Sequence, residues 1–510
     1  MNGNPTDYTD YMDHRFSAQE YLSSGIDVTL HEVLNAREAR ADRQATMLQT
    51  GKSLISFTLN IPGPVKRFPL SVKTFEIGRC EIENQLRRYQ IAVSGFTFTD
   101  QKTGTEGLWS VAADAAALKS LMVVIDEGHP LGRLFDIDVI GADGGKISRE
   151  SVGSEVRRCL ICRNPASACA GRRVHGVEEL VEATVQLMTR YLTDTFCAFV
   201  SATAVKSLLY EVCVTPKPGL VDSANNGAHQ DMDKFSFLNS ASVLGPYFKR
   251  ITMQAQDCRK NGMAPQEVLR TLRYMGLMAE EDMYRATGGA NTHKGVIYSM
   301  GILCAAYGYS YNCGGIATTT APAMVEIETL LRLCSQIAAP LPAEESGQVR
   351  QAGQPGAFLS EQARQHPTTV TNGERAYLEH GMGGVRGEVS NGFPSVQKHG
   401  LPALRKKLEE GWNINTACLW ALLNLMANID DTNVLARSNA ATQARIRHKI
   451  WDIVQDQALS PADVVRACTA LDAEFIESNI SPGGAADLLS VTLMLHFIEQ
   501  ESDFLSNPAV

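Results

Sequence analysis

The apolar residues of this chain change period near Leu180, and that change limits what the chain can fold into. Before it, short runs at Ser53–Asn60, Tyr89–Thr99, Gly107–Ala112 and Leu134–Ile140 read as strands, with helical patterns between them. After it, Val185, Met188, Leu192, Phe196, Phe199 and Val200 recur at helical spacing as far as Glu211, and Gln266 to Met283 repeats the pattern with Val268, Leu269, Leu272 and Met275. At 510 residues the chain exceeds one ordinary core. The expectation is a multidomain protein: an N-terminal α/β or α+β domain over residues 1–180, followed by an all-α helical domain over 181–510.

Charge narrows the partners. With 47 basic against 56 acidic residues the net charge is -9, which argues against a general nucleic-acid or membrane-surface binder. The N-terminus is polar and acidic, unlike a signal peptide. The apolar run Val296–Ala323 is broken by tyrosines, glycines, Asn312 and Pro322, so it reads as buried and not as a membrane span. Twelve cysteines without a secretory signal suggest reduced thiols and a cytoplasmic location.

In the first part, Thr29-Leu-His-Glu32 has the form of a capping box opening a helix from Leu30 to about Gln49. Its Arg37, Glu38, Arg40 and Arg43 read as a solvated face. Gly51-Lys-Ser53 is not a phosphate loop, because Thr46 replaces the first glycine of that pattern and a helix precedes it. The turn Pro62–Lys66 would present Lys66 to a phosphate. In His129–Asp138, strand alternation sends Phe135, Ile137 and Val139 to the core and puts Asp136 and Asp138 together on the opposite face. Two carboxylates so placed suit Mg²⁺ bridging a polyphosphate, with Arg133 just upstream; the alternative is a solvent-facing edge strand. Further on, Cys159, Cys162, Cys169 and His175 form a Cys₃His set for zinc, or reduced cysteines beside an arginine-rich phosphate pocket.

In the second part, Thr215-Pro-Lys-Pro-Gly-Leu-Val-Asp222 runs on through Asn225, Asn226, Gly227, His229, Asp231 and Asp233, the densest convergence of polar chemistry in the chain. The prolines and Gly219 fix a loop, Lys217 is a phosphate-seeking cation, and the acids can hold a metal or a proton. A second cluster, Asn291-Thr-His-Lys-Gly295, precedes a helix near Val296, so its backbone N–H groups and Lys294 would face an anion. Arg386 and Glu388 lie in the glycine-rich run Gly381–Gly392. Asp430-Asp-Thr-Asn433, with Arg437 nearby, follows an apolar helix; its acids either hold a metal or cap the next helix. Ser481-Pro482 reads as a cap and first turn. Pro340–Gly356 reads as an inserted loop.

The motifs through Asp138 and Arg157-Arg-Cys-Leu-Ile-Cys162 resemble the apo-citrate lyase phosphoribosyl-dephospho-CoA transferase family, with a nucleotidyltransferase-like fold as the analogy. Those from Thr215–Asp222 to Asp431-Thr-Asn433 resemble triphosphoribosyl-dephospho-CoA synthase, except that Thr371-Asn-Gly373 stands where a Thr/Ser-His-Gly run is expected. The resemblance implies a fused enzyme. ATP and 3′-dephospho-CoA would give 2′-(5″-triphosphoribosyl)-3′-dephospho-CoA and adenine. That group would then pass to a serine of the acyl carrier (gamma) subunit of citrate lyase, releasing diphosphate. It implies Asp222, Asp231, Glu388 and Asp431 as acid–base candidates. Phosphate and substrate contacts would come from Lys66, Lys217, Asn226, His229, Asn291, His293, Lys294 and Arg386. Mg²⁺ would sit at Asp136, Asp138 and Asp431, with Arg133 steadying charge. Other readings are an ATP-dependent phosphotransferase, which would release ADP, the equivalent enzyme for malonate decarboxylase, and a zinc-stabilised adaptor.

Overall fold

The computed structural model describes residues 18–311, 326–339 and 383–506, the last five as backbone only. Pro340–Gly356, Thr371–Gly373 and the far end of the Val296–Ala323 run lie outside them. The chain divides between Thr195 and Phe196 into two compact units.

The first unit holds α1 (Ala18–Leu22), α2 (Leu30–Leu48), β1 (Ser53–Leu59), α3 (Pro69–Arg88), β2 (Val93–Gln101), β3 (Gly104–Val111), α4 (Ala115–Gly128), β4 (Phe135–Ile140), β5 (Lys146–Ile147) and α5 (Ala166–Arg172). The strands form one sheet in the order β2-β3-β1-β4-β5, antiparallel at every pairing. An all-antiparallel sheet places this unit on the α+β side of the expectation. The capping box is present, with Thr29 accepting from the Glu32 amide and Glu32 from the Thr29 amide. One sheet face is aromatic: Phe57 stacks on Phe75 of α3 at 4.8 Å and meets Phe135 edge-on at 5.5 Å. Each such fully buried ring contributes roughly 1.5–3 kcal/mol.

Helix α6 (Val177–Cys213) carries the division between the units. Among the described residues it alone is long and apolar enough to cross a membrane by length and composition, yet 56% of its apolar window is buried in the protein's own packing. The second unit continues with α7 (Lys234–Lys260), α8 (Pro265–Ala286), α9 (Lys294–Ser310), α10 (Ile327–Ala338), α11 (Gly384–Ser390), α12 (Leu401–Glu409), α13 (Ile414–Asn428), α14 (Thr432–Arg437), α15 (Ala440–Gln455), α16 (Pro461–Glu477) and α17 (Gly483–Ser506). No strand occurs among its described residues. The described part of the Val296–Ala323 run lies in α9 and is buried from Val296 through Gly308 except at Tyr298.

Candidate active sites

The second face of the sheet in the first unit is polar, because the alternation that buries Phe57 and Phe135 turns Thr58 and Asp136 the other way. Register aligns Thr99, Glu106, Thr58 and Asp136 in one row across four strands, with Ser56 opposite Asp138 in the next. Asp136 and Asp138 therefore share a face, and both side chains are partly exposed. Helix α2 lies over this face: Arg40 Nε and Arg43 Nη2 donate to Glu106 at 2.5 and 2.8 Å, and Gln44 donates to Ser56 at 2.9 Å. A cleft remains, lined by Arg37, Arg40, Arg43, Lys66, Glu106 and Asp136 among others. Lys66 donates to the Ile61 carbonyl at 2.5 Å, and burial, then Arg37, pushes its ammonium below the usual lysine range. The arginines of α2, read from sequence as solvated, thus line a cleft with Lys66 and Asp136.

Arg157 clasps the turn that precedes β4. Its Nη2 donates to the carbonyls of Gly132, at 3.3 Å, Arg133, at 3.4 Å, and Phe135, and to Asp126 at 3.1 Å, while Nη1 lies 3.6 Å from Asp136. Asp138 pairs with Lys146 at 2.6 Å. Arg133, inside this clasp, is pushed down by burial and by the like charge of Arg157. Downstream, the ligand atoms of Cys159, Cys162, Cys169 and His175 all lie within 4.8 Å of one another, so this cluster could bind a metal. The His175 imidazole pulls the Cys162 thiol down to about 6.

In the second unit the Thr215–Asp222 loop turns inward. Lys217 Nζ donates to the Glu211 carbonyl at 2.8 Å and to Glu211 Oε1 at 2.5 Å, with both side chains almost fully buried. Its ammonium is therefore committed to Glu211, where the sequence suggested a phosphate contact. Asp222 spends both oxygens on backbone amides, those of Lys217 at 2.7 Å, Ala224 at 2.6 Å and Asn225 at 3.2 Å. Asp472 holds the loop from outside, accepting from the Gly219 amide at 2.9 Å and from Asn225 Nδ2 at 2.7 Å. Gly219 has a φ of +69°, and a Cβ there would meet the Ile480 carbonyl at 2.3 Å, so only glycine fits this contact. His229 is within 2.8 Å of Ser481 Oγ and accepts at Nδ1 from Arg437 at 3.3 Å. Ser481 thus serves His229, and the helix expected to begin at Pro482 behind a Ser481 cap begins at Gly483. Asn226 and Asp231 are exposed, and Asp233 caps α7 through the Ser236 amide at 2.8 Å.

The second cluster meets this loop at the start of α9. His293 is buried, with Nδ1 2.6 Å from Ser240 Oγ and Nε2 without a hydrogen-bond partner. Burial, then Lys217, pushes its imidazole down to about 3, so the ring is neutral. Lys294 pairs with Glu280 at 2.9 Å, and Asn291 is exposed. Asp487, in the second turn of α17, sits against Gly295: an ideal Cβ there would lie 2.0 Å from its Oδ2. Burial first, then Asp431 and Glu211, holds the Asp487 carboxyl well above the usual range. Of the two roles open to Asp431, capping is present: its carboxylate accepts from Asn433 N at 2.9 Å and from Ala485 N at 3.0 Å, joining the starts of α14 and α17. Burial raises it too, against those amide bonds. Arg386 lies over the Tyr298 ring at 5.7 Å, and Glu388 accepts from the Ser395 amide at 3.0 Å and its hydroxyl at 2.7 Å.

Residues 28–191 match the family described as apo-citrate lyase phosphoribosyl-dephospho-CoA transferase (CitX), and residues 197–504 the one described as ATP:dephospho-CoA triphosphoribosyl transferase (CitG). Two relatives carry both in one chain. Protein CitXG of Leuconostoc mesenteroides subsp. cremoris is 31% identical over 93% of this chain and 98% of its own length, and Protein CitXG of Haemophilus influenzae is 32% identical over 94% and 98%. The chain belongs to the CitXG family. The 2-(5''-triphosphoribosyl)-3'-dephosphocoenzyme-A synthase of Klebsiella pneumoniae is 36% identical over 57% of this chain and 87% of its own length. In this CitXG chain, sequence reasoning missed Glu106, Arg157's clasp, Glu211, Asp472 and Asp487. One signal was present: Arg37, Arg40 and Arg43 recur at spacing three and so share a helix face.

Proposed function

We propose that this chain makes and attaches the citrate lyase prosthetic group. In the unit of residues 196–501 the ribose 2′-hydroxyl of 3′-dephospho-CoA attacks C1″ of ATP. The C1″–N9 bond breaks, a C1″–O bond forms, the hydroxyl loses its proton and adenine takes one up. In the unit of residues 18–195 a serine hydroxyl of the apo acyl carrier (gamma) subunit attacks the α-phosphorus of the product. The bond to diphosphate breaks and a phosphodiester forms. The observation that carries this reading is one polar site in each unit, each unit matching one of two families that are fused in relatives covered over 98% of their length.

The geometry suggests roles. Asp431 and Asp487 share a buried place where two negative charges are costly, so one carboxyl keeps a proton that can serve the departing adenine. Glu388, oriented by Ser395, is the carboxylate we assign to the positive charge that builds on the ribose. Asn226, His229, Asn291, His293, Lys294 and Arg386 bind nucleotide and triphosphate, while Lys217 and Asp222 position the loop. In the transferase unit Asp136 and Asp138 present only hard oxygen donors on one strand face, which fits Mg²⁺; such an ion neutralises triphosphate charge. Lys66, Arg133 and the α2 arginines hold the remaining phosphate charge. The substrates and the acidic composition suit a cytoplasmic enzyme.

The test is nucleobase release. Purified protein with ATP, Mg²⁺ and dephospho-CoA should yield adenine only when dephospho-CoA is present, and adding apo-carrier should then yield modified carrier and diphosphate. ADP in place of adenine would overturn the reading in favour of a phosphotransferase.

A further inference from the structure

The Cys159–His175 segment is folded as a metal knuckle. Residues 157–166 form a tight hairpin: Cys159 N donates to Asn164 O at 2.6 Å, Ala166 N to Arg157 O at 2.7 Å, and Arg163 takes the left-handed backbone, φ 60°. This brings Cys159 and Cys162 to one side. Helix α5 then supplies the buried Cys169, and its left-handed cap at Arg173 returns the chain to His175. Tetrahedral zinc, with Zn–S near 2.3 Å and Zn–N near 2.0 Å, needs ligand atoms roughly 3.3–3.8 Å apart. The four ligand atoms here lie within 4.8 Å of one another, and the Cys162 and Cys169 sulfurs are 3.2 Å apart, too far for a disulfide bond.

The imidazole is oriented for the same purpose. Glu179 holds His175 Nδ1 at 3.2 Å from both its oxygens, which leaves Nε2 for a metal; that atom is buried and has no hydrogen-bond partner. A carboxylate behind a histidine is the arrangement that fixes a ligating tautomer. Three thiolates around a divalent ion leave one negative charge, and Arg157, Arg158, Arg163, Arg172 and Arg173 lie within the same short stretch.

We infer that Cys159, Cys162, Cys169 and His175 bind one zinc ion, and that this knuckle holds Arg157 on the turn carrying Arg133 and Asp136. Arg157 lies two residues before the first ligand, and its clasp on Gly132, Arg133 and Phe135 is the link from knuckle to strand. The metal is structural, since all four positions are filled by protein. The effect on activity rests on the transferase reading above; the metal content does not.

The experiment is elemental analysis of the full-length protein purified without added metal, followed by cobalt exchange. The expected result is one zinc per chain, replaced by cobalt with the visible d–d bands and thiolate charge-transfer absorption of a tetrahedral site. Cys162→Ser and His175→Ala should lose the ion, whereas Cys213→Ser, at an exposed cysteine outside the cluster, should keep it. Transfer to the carrier should fall by about tenfold or more in Cys162→Ser while adenine release persists. A wild-type chain that stays metal-free after incubation with zinc, or whose Cys162 and Cys169 are isolated as a disulfide, would overturn the site, as would a Cys162→Ser chain with full zinc. Stoichiometric zinc in a chain showing neither adenine release nor transfer would uphold the site and sink the functional reading.

Discussion

Lys217 and Glu211 form an ion pair at 2.5 Å with both side chains almost wholly removed from water. Removing one partner strands the other's charge, which costs about 3–5 kcal/mol. Lys217→Met and Glu211→Gln should each lower the urea midpoint strongly, and the double variant should lie above the sum of the two losses. Additive losses in a double-mutant cycle would refute the coupling.

Gly295 leaves no room for a methyl group, because Asp487 Oδ2 would lie 2.0 Å from it. Gly295→Ala should therefore displace the Asp487 carboxyl and cut adenine release by roughly a hundredfold. Transfer of pre-made triphosphoribosyl-dephospho-CoA to the carrier, measured on the same preparation, should be unchanged.

Asp136 and Asp138 share one strand face, and in the proposed mechanism they serve the other step. Asp136→Asn and Asp138→Asn should each reduce carrier modification by roughly a hundredfold and leave adenine release intact. Loss of both activities together would count against the division of labour between the units.

His293 is held neutral, with its pKa pushed down to about 3 by burial and by Lys217. The unfolded chain takes up a proton on this side chain below about pH 6.5 and the folded chain does not. The stability this difference confers is thus fully present above pH 6.5 and is lost progressively as pH falls toward 3. Asp431 and Asp487 tilt the other way, since the folded state holds their protons more tightly. Comparing wild type with His293→Gln cancels those shared contributions. Denaturation at pH 7.5 and 5.5 should show wild type losing more stability on acidification than the variant does.

What was legible in the sequence was local. Strand alternation put Asp136 and Asp138 on one face because a period of two leaves no choice, and the spacing of Cys159, Cys162, Cys169 and His175 marked a cluster spanning a single turn and one short helix. What was illegible depended on distant partners. Arg40 and Arg43 look solvated until β3 brings Glu106 beneath them, 66 and 63 residues away in the chain. Asp487 reads as an ordinary acid near a helix start until α17 is laid against Gly295. Lys217 shows the opposite failure: its composition suggests phosphate, but its loop folds the ammonium back onto Glu211.

Asp431 ties the start of α14 to the start of α17, and this sets a timetable. The sheet of the first unit is complete once residue 147 has been made, and the Cys159–His175 knuckle soon after. The second site waits for Ala485 and Asp487, more than three hundred residues later. On the ribosome, where chains emerge N-terminus first, the half that matches the transferase family can fold while the half that matches the synthase family is still being translated. A chain released early would be a transferase with nothing to transfer.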